Sequence, residues 1–203
     1  MSLLELIARA DERGLAASGV ACLDRCLPPS EDGSDPEPLR PLWAGCESGA
    51  EWAARLDAVH AALEGAAARD ATADRVRTLL AAAPEDFAAG PLRAWADACS
   101  LLALDIHRES DFPADDGTRT SEDFRAGRAT GGGPLVMGEL RRQAEILESL
   151  TGTSGTSGTS GTESGPTGLR RALDMSTEGR RVLRAVRSRR ARGRTRPGDV
   201  SLK

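Results

Sequence analysis

The apolar residues recur at helical spacing through most of the first 150 positions, and little in the chain favours strands. Trp52, Leu56, Val59, Leu63 and Ala67 follow one another at intervals of four, three, four and four. That spacing keeps one stripe of a 3.6-residue helix facing inward. Leu92, Trp95, Cys99, Leu102 and Ile106 make a second such stripe, and Val76, Leu79, Leu80 and Ala83 a third. Val136, Leu140, Ala144 and Leu147, with Ile146 and Leu150 beside them, make a fourth. Aromatics are only 3% of the chain and Tyr is absent, so the residues that favour strands are scarce. Packing therefore falls to Leu, Ala and Val, and Ala is the strongest helix former. An all-α fold follows, with five to seven helices over residues 1–150.

Punctuation places the elements. Helices are expected over Ser2–Ala10, Leu15–Leu27, Glu51–Ala67, Thr72–Ala83, Pro91–Arg108 and Pro134–Leu150, with a short turn at Leu39–Trp43. Pro28-Pro29 and Pro84 stop two of them, and Gly19 weakens the second helix. Pro91 suits a first turn, where its missing N–H costs nothing. Leu101 and Leu104 widen the apolar face of the Pro91–Arg108 segment, which makes it the helix expected at the centre. Residues 29–38 read as a polar loop. Residues 111–133 lose periodicity and end in Gly131-Gly132-Gly133, a mobile loop by this reading. Glu139, Arg141, Gln143 and Glu145 are expected on the solvated face of the Pro134–Leu150 helix.

Residues 151–168 contain Gly-Thr-Ser three times in succession, a composition too polar to offset the entropy of ordering. A flexible linker of about 18 residues spans about 20–25 Å. Beyond it, Leu169–Leu173 reads as a helical turn. Ser176 or Thr177 is expected to cap a separate helix running to about Ala191.

The net charge of −4 conceals an asymmetry. Residues 1–166 hold 15 Arg against 28 Asp and Glu, a charge of −13. Residues 167–203 hold 11 Arg and Lys203 against Asp174, Glu178 and Asp199, a charge of +9. An acidic body joined to a basic helix speaks to partners. The candidate contact residues are Arg180, Arg181, Arg184, Arg187, Arg189 and Arg190, set around Val182, Leu183 and Val186. They point to a non-enzymatic interaction or adaptor protein. The basic helix would be its docking or regulatory element, and its partner a protein or the chain's own acidic body. The alternative is sequence-independent phosphate binding to nucleic acid through residues 169–196. No aromatic lies in residues 167–203 to stack on bases, which disfavours sequence-specific reading.

Other candidates are weaker. Cys22, Cys26, Cys46 and Cys99, with His60 and His107, are zinc-type ligands, but their spacing lacks the tight Cys-x2-Cys pair of structural sites. A Cys99 nucleophile would need His60 or His107 within hydrogen-bond reach. Glu85-Asp86, Asp115-Asp116 and Glu122-Asp123 read as solvated loop charge. Gly131-Gly132-Gly133-Pro134 precedes a helix but lacks the phosphate-loop pattern. No metal, cofactor or catalytic residue is assigned. Pro38–Ala44 echoes Pro91–Ala96, as a helical repeat would, although such matches arise by chance in an Ala/Leu/Arg-rich chain. The absence of Asn, with 26 Arg and a single Lys, matches a GC-rich bacterial genome. No run reaches the roughly 18 apolar residues of a membrane span, and Met1–Arg13 lacks the features of a secretory signal. A cytoplasmic protein with reduced cysteines is the expectation.

Overall fold

The computed structural model describes residues 1–27, 38–47, 49–64, 71–111, 118–151 and 164–194. These form nine helices, and no strand occurs among them. The helices are α1 (Leu3–Arg9), α2 (Glu12–Cys26), α3 (Arg40–Gly45), α4 (Trp52–Glu64) and α5 (Ala71–Ala81), followed by α6 (Ala89–Ser110), α7 (Ser121–Arg125), α8 (Pro134–Thr151) and α9 (Ser164–Arg194). The all-α architecture is the one the periodicity predicts. The polar loop at 29–38 and the Gly-Thr-Ser repeat at 152–160 lie outside the described residues, apart from Pro38.

The first two helices start where side chains satisfy their free N–H groups. Ser2 and Glu5 form a reciprocal capping box on α1, and Asp11 accepts from Gly14 N at 2.8 Å to open α2. That cap starts α2 three residues before the expected Leu15. α2 rather than α6 is the enclosed helix, because every residue from Gly14 to Cys26 is buried. Ala16, Ala17, Ser18, Gly19 and Ala21 put small residues on its successive faces, so neighbours approach from all sides. At Gly19 a Cβ would overlap the Trp95 ring. The glycine that weakens α2 as an isolated helix is therefore what lets the α6 indole lie on its backbone.

α6 and α8 pack against α2, α5 contacts both α2 and α6, and α4 contacts α3 and α5. Trp52 of α4 makes edge contacts with Phe87 at 5.6 Å and Trp95 at 5.9 Å. Both indole N–H groups donate to backbone carbonyls, Trp52 to Pro84 and Trp95 to Leu79. The Pro38–Ala44 and Pro91–Ala96 segments begin helices of six and 22 residues.

Two further expectations are corrected at the level of elements. The segment 118–133 carries α7, not an unbroken loop: Thr120 and Asp123 form a capping box, and Phe124 is buried with Leu104 and Val136. Five helical residues are too few to show periodicity. The basic C-terminal helix starts at Ser164 and runs unbroken to Arg194, rather than as a turn followed by a capped helix. Instead of standing apart, it packs against α2 and α8, with a smaller contact on α6. Leu169, Ala172 and Leu183 join the main core, and Val182 and Val186 pack at its edge.

Candidate functional site

Two polar groups organise the region around α2, α8 and α9. The first is buried. Arg25 near the end of α2 makes a two-pronged pair with Glu139 of α8, Nε to Oε2 at 2.9 Å and Nη2 to Oε1 at 2.5 Å. Gln143 donates from Nε2 to Glu139 Oε1 at 2.8 Å and to Ser100 O at 3.3 Å, and Ser100 Oγ donates to Gln143 Oε1 at 2.6 Å. His107 donates from Nδ1 to Ala103 O at 2.7 Å and turns Nε2 toward Glu139 at 3.5 Å. Glu139 and Gln143 thus face inward, correcting their expected place on the solvated face. Val136, Glu139, Gln143, Ile146 and Leu150 share the inner stripe of α8 at spacings of three, four, three and four. A charge can occupy such a stripe when its partner is buried with it.

The charges follow the geometry. Burial is the largest influence on Glu139 and opposes its ionisation, but the Arg25 guanidinium, His107 and the hydrogen bonds from Arg25 and Gln143 together outweigh it and hold the carboxyl below its ordinary value. Burial also opposes the charge on Arg25, and Glu139 reverses that in turn. His107 is held below its ordinary value by burial, which the Glu139 carboxylate only partly offsets, so it is neutral at neutral pH.

The second group lies between α2 and α9. Ser176 Oγ donates to Asp24 Oδ2 at 2.9 Å, and Arg180 Nη1 donates to Asp24 Oδ1 at 3.3 Å. All three residues are buried. A Cβ at Gly179 would overlap Arg25 Cδ and sit 3.1 Å from Arg142 Cδ. The α9 backbone therefore lies directly on the Arg25 side chain. The hydroxyl expected to start a helix at Ser176 is instead spent across the interface.

The candidate arginines divide by face. Arg180 is buried, and Leu183 is core. Arg187 donates to Ser110 Oγ at 3.5 Å and to Thr72 Oγ1 at 3.3 Å. Arg190 donates to the carbonyls of Glu109 and Asp111. Arg184 is half-exposed, while Arg181 and Arg189 are exposed, together with Arg170 and Arg171 earlier in the helix. The apolar strip of Val182, Leu183 and Val186 is used on the body, so the solvent face of α9 is polar and mostly cationic. Sequence reasoning missed Asp24, Arg25, Glu139, Gln143, Thr72 and Ser110. Two charged residues within the otherwise small and apolar run Leu15–Cys26 were the available signal.

The cysteines and histidines are spread among other contacts. All four thiols are buried and free, and burial pushes Cys22 up to about 12 and the others above their ordinary value. Buried thiols held in that form are poor nucleophiles and poor ligands. His60 bonds the Leu80 carbonyl at 3.1 Å and lines a shallow cleft of about 230 Å³ with Leu63, Arg77, Leu80 and Ala81. Among the described residues, no three His, Cys, Asp or Glu side chains are grouped to hold a metal ion. No described helix is long and apolar enough to cross a membrane. Gly131-Gly132-Gly133 does lead into a helix N-terminus, but the anion there is internal: Asp111 accepts from Leu135 N at 2.9 Å and Val136 N at 3.0 Å. Gly133 admits that carboxylate, since a Cβ would overlap it. No protein family, curated protein or solved structure matches the chain.

Proposed function

We propose that the chain is a non-enzymatic interaction protein whose α9, seated on the body by its inner face, is a docking element for an acidic protein surface. One observation carries the reading: α9 is fastened by its inner face, through Asp24, Ser176, Arg180 and Leu183, while Arg170, Arg171, Arg181 and Arg189 stay exposed. A helix held in place loses less entropy on binding than a free arm. Guanidinium groups suit paired contacts to carboxylates. The tail's lack of aromatics favours a protein over a nucleic acid, because single strands are held largely by stacking.

The test is capture of partners from a lysate by the full chain and by a variant with Arg170, Arg171, Arg181 and Arg189 changed to Glu. The reading expects acidic proteins to be retained by the parent and lost from the variant, with capture unchanged by nuclease. Capture that nuclease abolishes assigns the surface to nucleic acid instead. Equal capture by parent and variant removes the arginine face from the function.

A further inference from the structure

The two halves of α9 are fastened by different chemistry. As far as Leu183, the inner face has a carboxylate, Asp24, for its buried Arg180, and it contributes Leu169, Ala172 and Leu183 to the core. Beyond it, Val186 packs only at the edge of the core, and Arg187 and Arg190 lie against the body on neutral acceptors: two hydroxyls, Thr72 and Ser110, and two backbone carbonyls at the C-terminal end of α6. Among the described residues, the two carboxylates at the end of α6 are engaged elsewhere. Glu109 pairs with Arg75 at 2.7 Å, and Asp111 caps α8 through Leu135 N and Val136 N. The α6 carbonyls carry the partial negative charge of a helix end, but a carboxylate carries a full one. A charge-assisted, two-pronged bond to carboxylate is the stronger contact for a guanidinium.

We propose that the C-terminal third of α9, Arg184–Arg194, is a clamp that an acidic peptide opens, taking Arg187 and Arg190 from Thr72, Ser110 and the α6 terminus. The inference rests on the proposed docking role and adds a place, a partner chemistry and a motion. The hinge lies just after Leu183, the last α9 residue in the buried core. Carboxylates two turns apart or less on an extended or helical peptide reach both guanidiniums, since positions 187 and 190 are about one turn apart. Opening uncovers the hydroxyls of Thr72 and Ser110 and the end of α6, while Asp24–Arg180 keeps the first part of α9 in place.

The experiment uses the full chain and a fluorescein-labelled peptide of 15 glutamates, read by anisotropy at low salt. Thr72→Asp gives Arg187 a carboxylate within the protein and suits the first turn of α5. Ser110→Asp does the same from α6. Thr78→Asp, exposed on α5, is the control for added negative charge. Both Thr72→Asp and Ser110→Asp should weaken peptide binding at least fivefold relative to Thr78→Asp, with helical content unchanged. The peptide should also raise hydrogen exchange in 184–194 of the parent and leave 169–183 protected. Equal binding by Thr72→Asp and Thr78→Asp, each folded, overturns the clamp and leaves the exposed-face docking role standing. A parent protein that does not bind the peptide at low salt overturns both.

Discussion

At the scale of residues, the fold depends on a few charges placed where water does not reach. Glu139 meets the Arg25 guanidinium in the interior of the bundle. Glu139→Ala leaves that guanidinium uncompensated and should cost about 3–5 kcal/mol, read as a lower denaturant midpoint. Arg25→Met together with Glu139→Leu should recover much of the loss, because removing both partners removes the desolvation cost. A smaller loss for Glu139→Ala than for an exposed Glu, such as Glu51→Ala, would contradict the burial. The same group predicts a pH dependence. His107 is held below 6.5 in the folded chain, so the unfolded chain binds the proton first. Its contribution is complete above about pH 6.5 and is lost as pH falls below that value. Glu139 acts in the same direction lower down, since its folded value lies below 4.5. Thermal stability should therefore fall in two stages on acidification, the first near pH 6.5. His107→Asn should flatten that first stage; an unchanged profile would assign it to other groups.

At the scale of elements, the interfaces turn on glycine and small residues as much as on large apolar ones. Gly179 lets α9 lie on the Arg25 stem, which two bonds to Glu139 hold in place. Gly179→Val should cost about 1–3 kcal/mol through overpacking and raise hydrogen exchange in 169–183. An unchanged exchange pattern would mean that the helix does not lie there. Gly133→Ala pushes a methyl into the Asp111 carboxylate and should cost about as much as losing a helix cap, about 1 kcal/mol, seen in the melting temperature. The element scale also shows what the sequence could and could not reveal. The helices with repeating apolar stripes, α4, α5, α6 and α8, were legible because a stripe is a local pattern. α7 was not, since its five residues hold one buried aromatic and a cap. The inward place of Glu139 and Gln143 was also hidden, because polar residues at core register are indistinguishable from surface ones until their partner on another helix is known. The face of α9 was hidden for the same reason: Asp24, 156 residues from Arg180, decides it.

At the scale of the whole molecule, the opposed charges, −13 before residue 167 and +9 from there on, are joined by packing as well as by attraction. The two contributions respond differently to salt. The Asp24–Arg180 pair is nearly fully buried, so added salt screens it little, whereas the contacts of Arg187 and Arg190 are nearer solvent. Raising salt should leave exchange in 169–183 almost unchanged and speed it in 184–194. The exposed arginines leave a cationic face, and the proposed binding of an acidic partner there should weaken as salt rises. The central claim is that the basic helix is part of the folded body through its inner face, with its outer face left for binding. Hydrogen exchange of the full chain at neutral pH tests it most directly. The account predicts protection of 169–183 comparable to that of α2. Exchange of the whole of 164–194 at the rate of an unfolded peptide would contradict it.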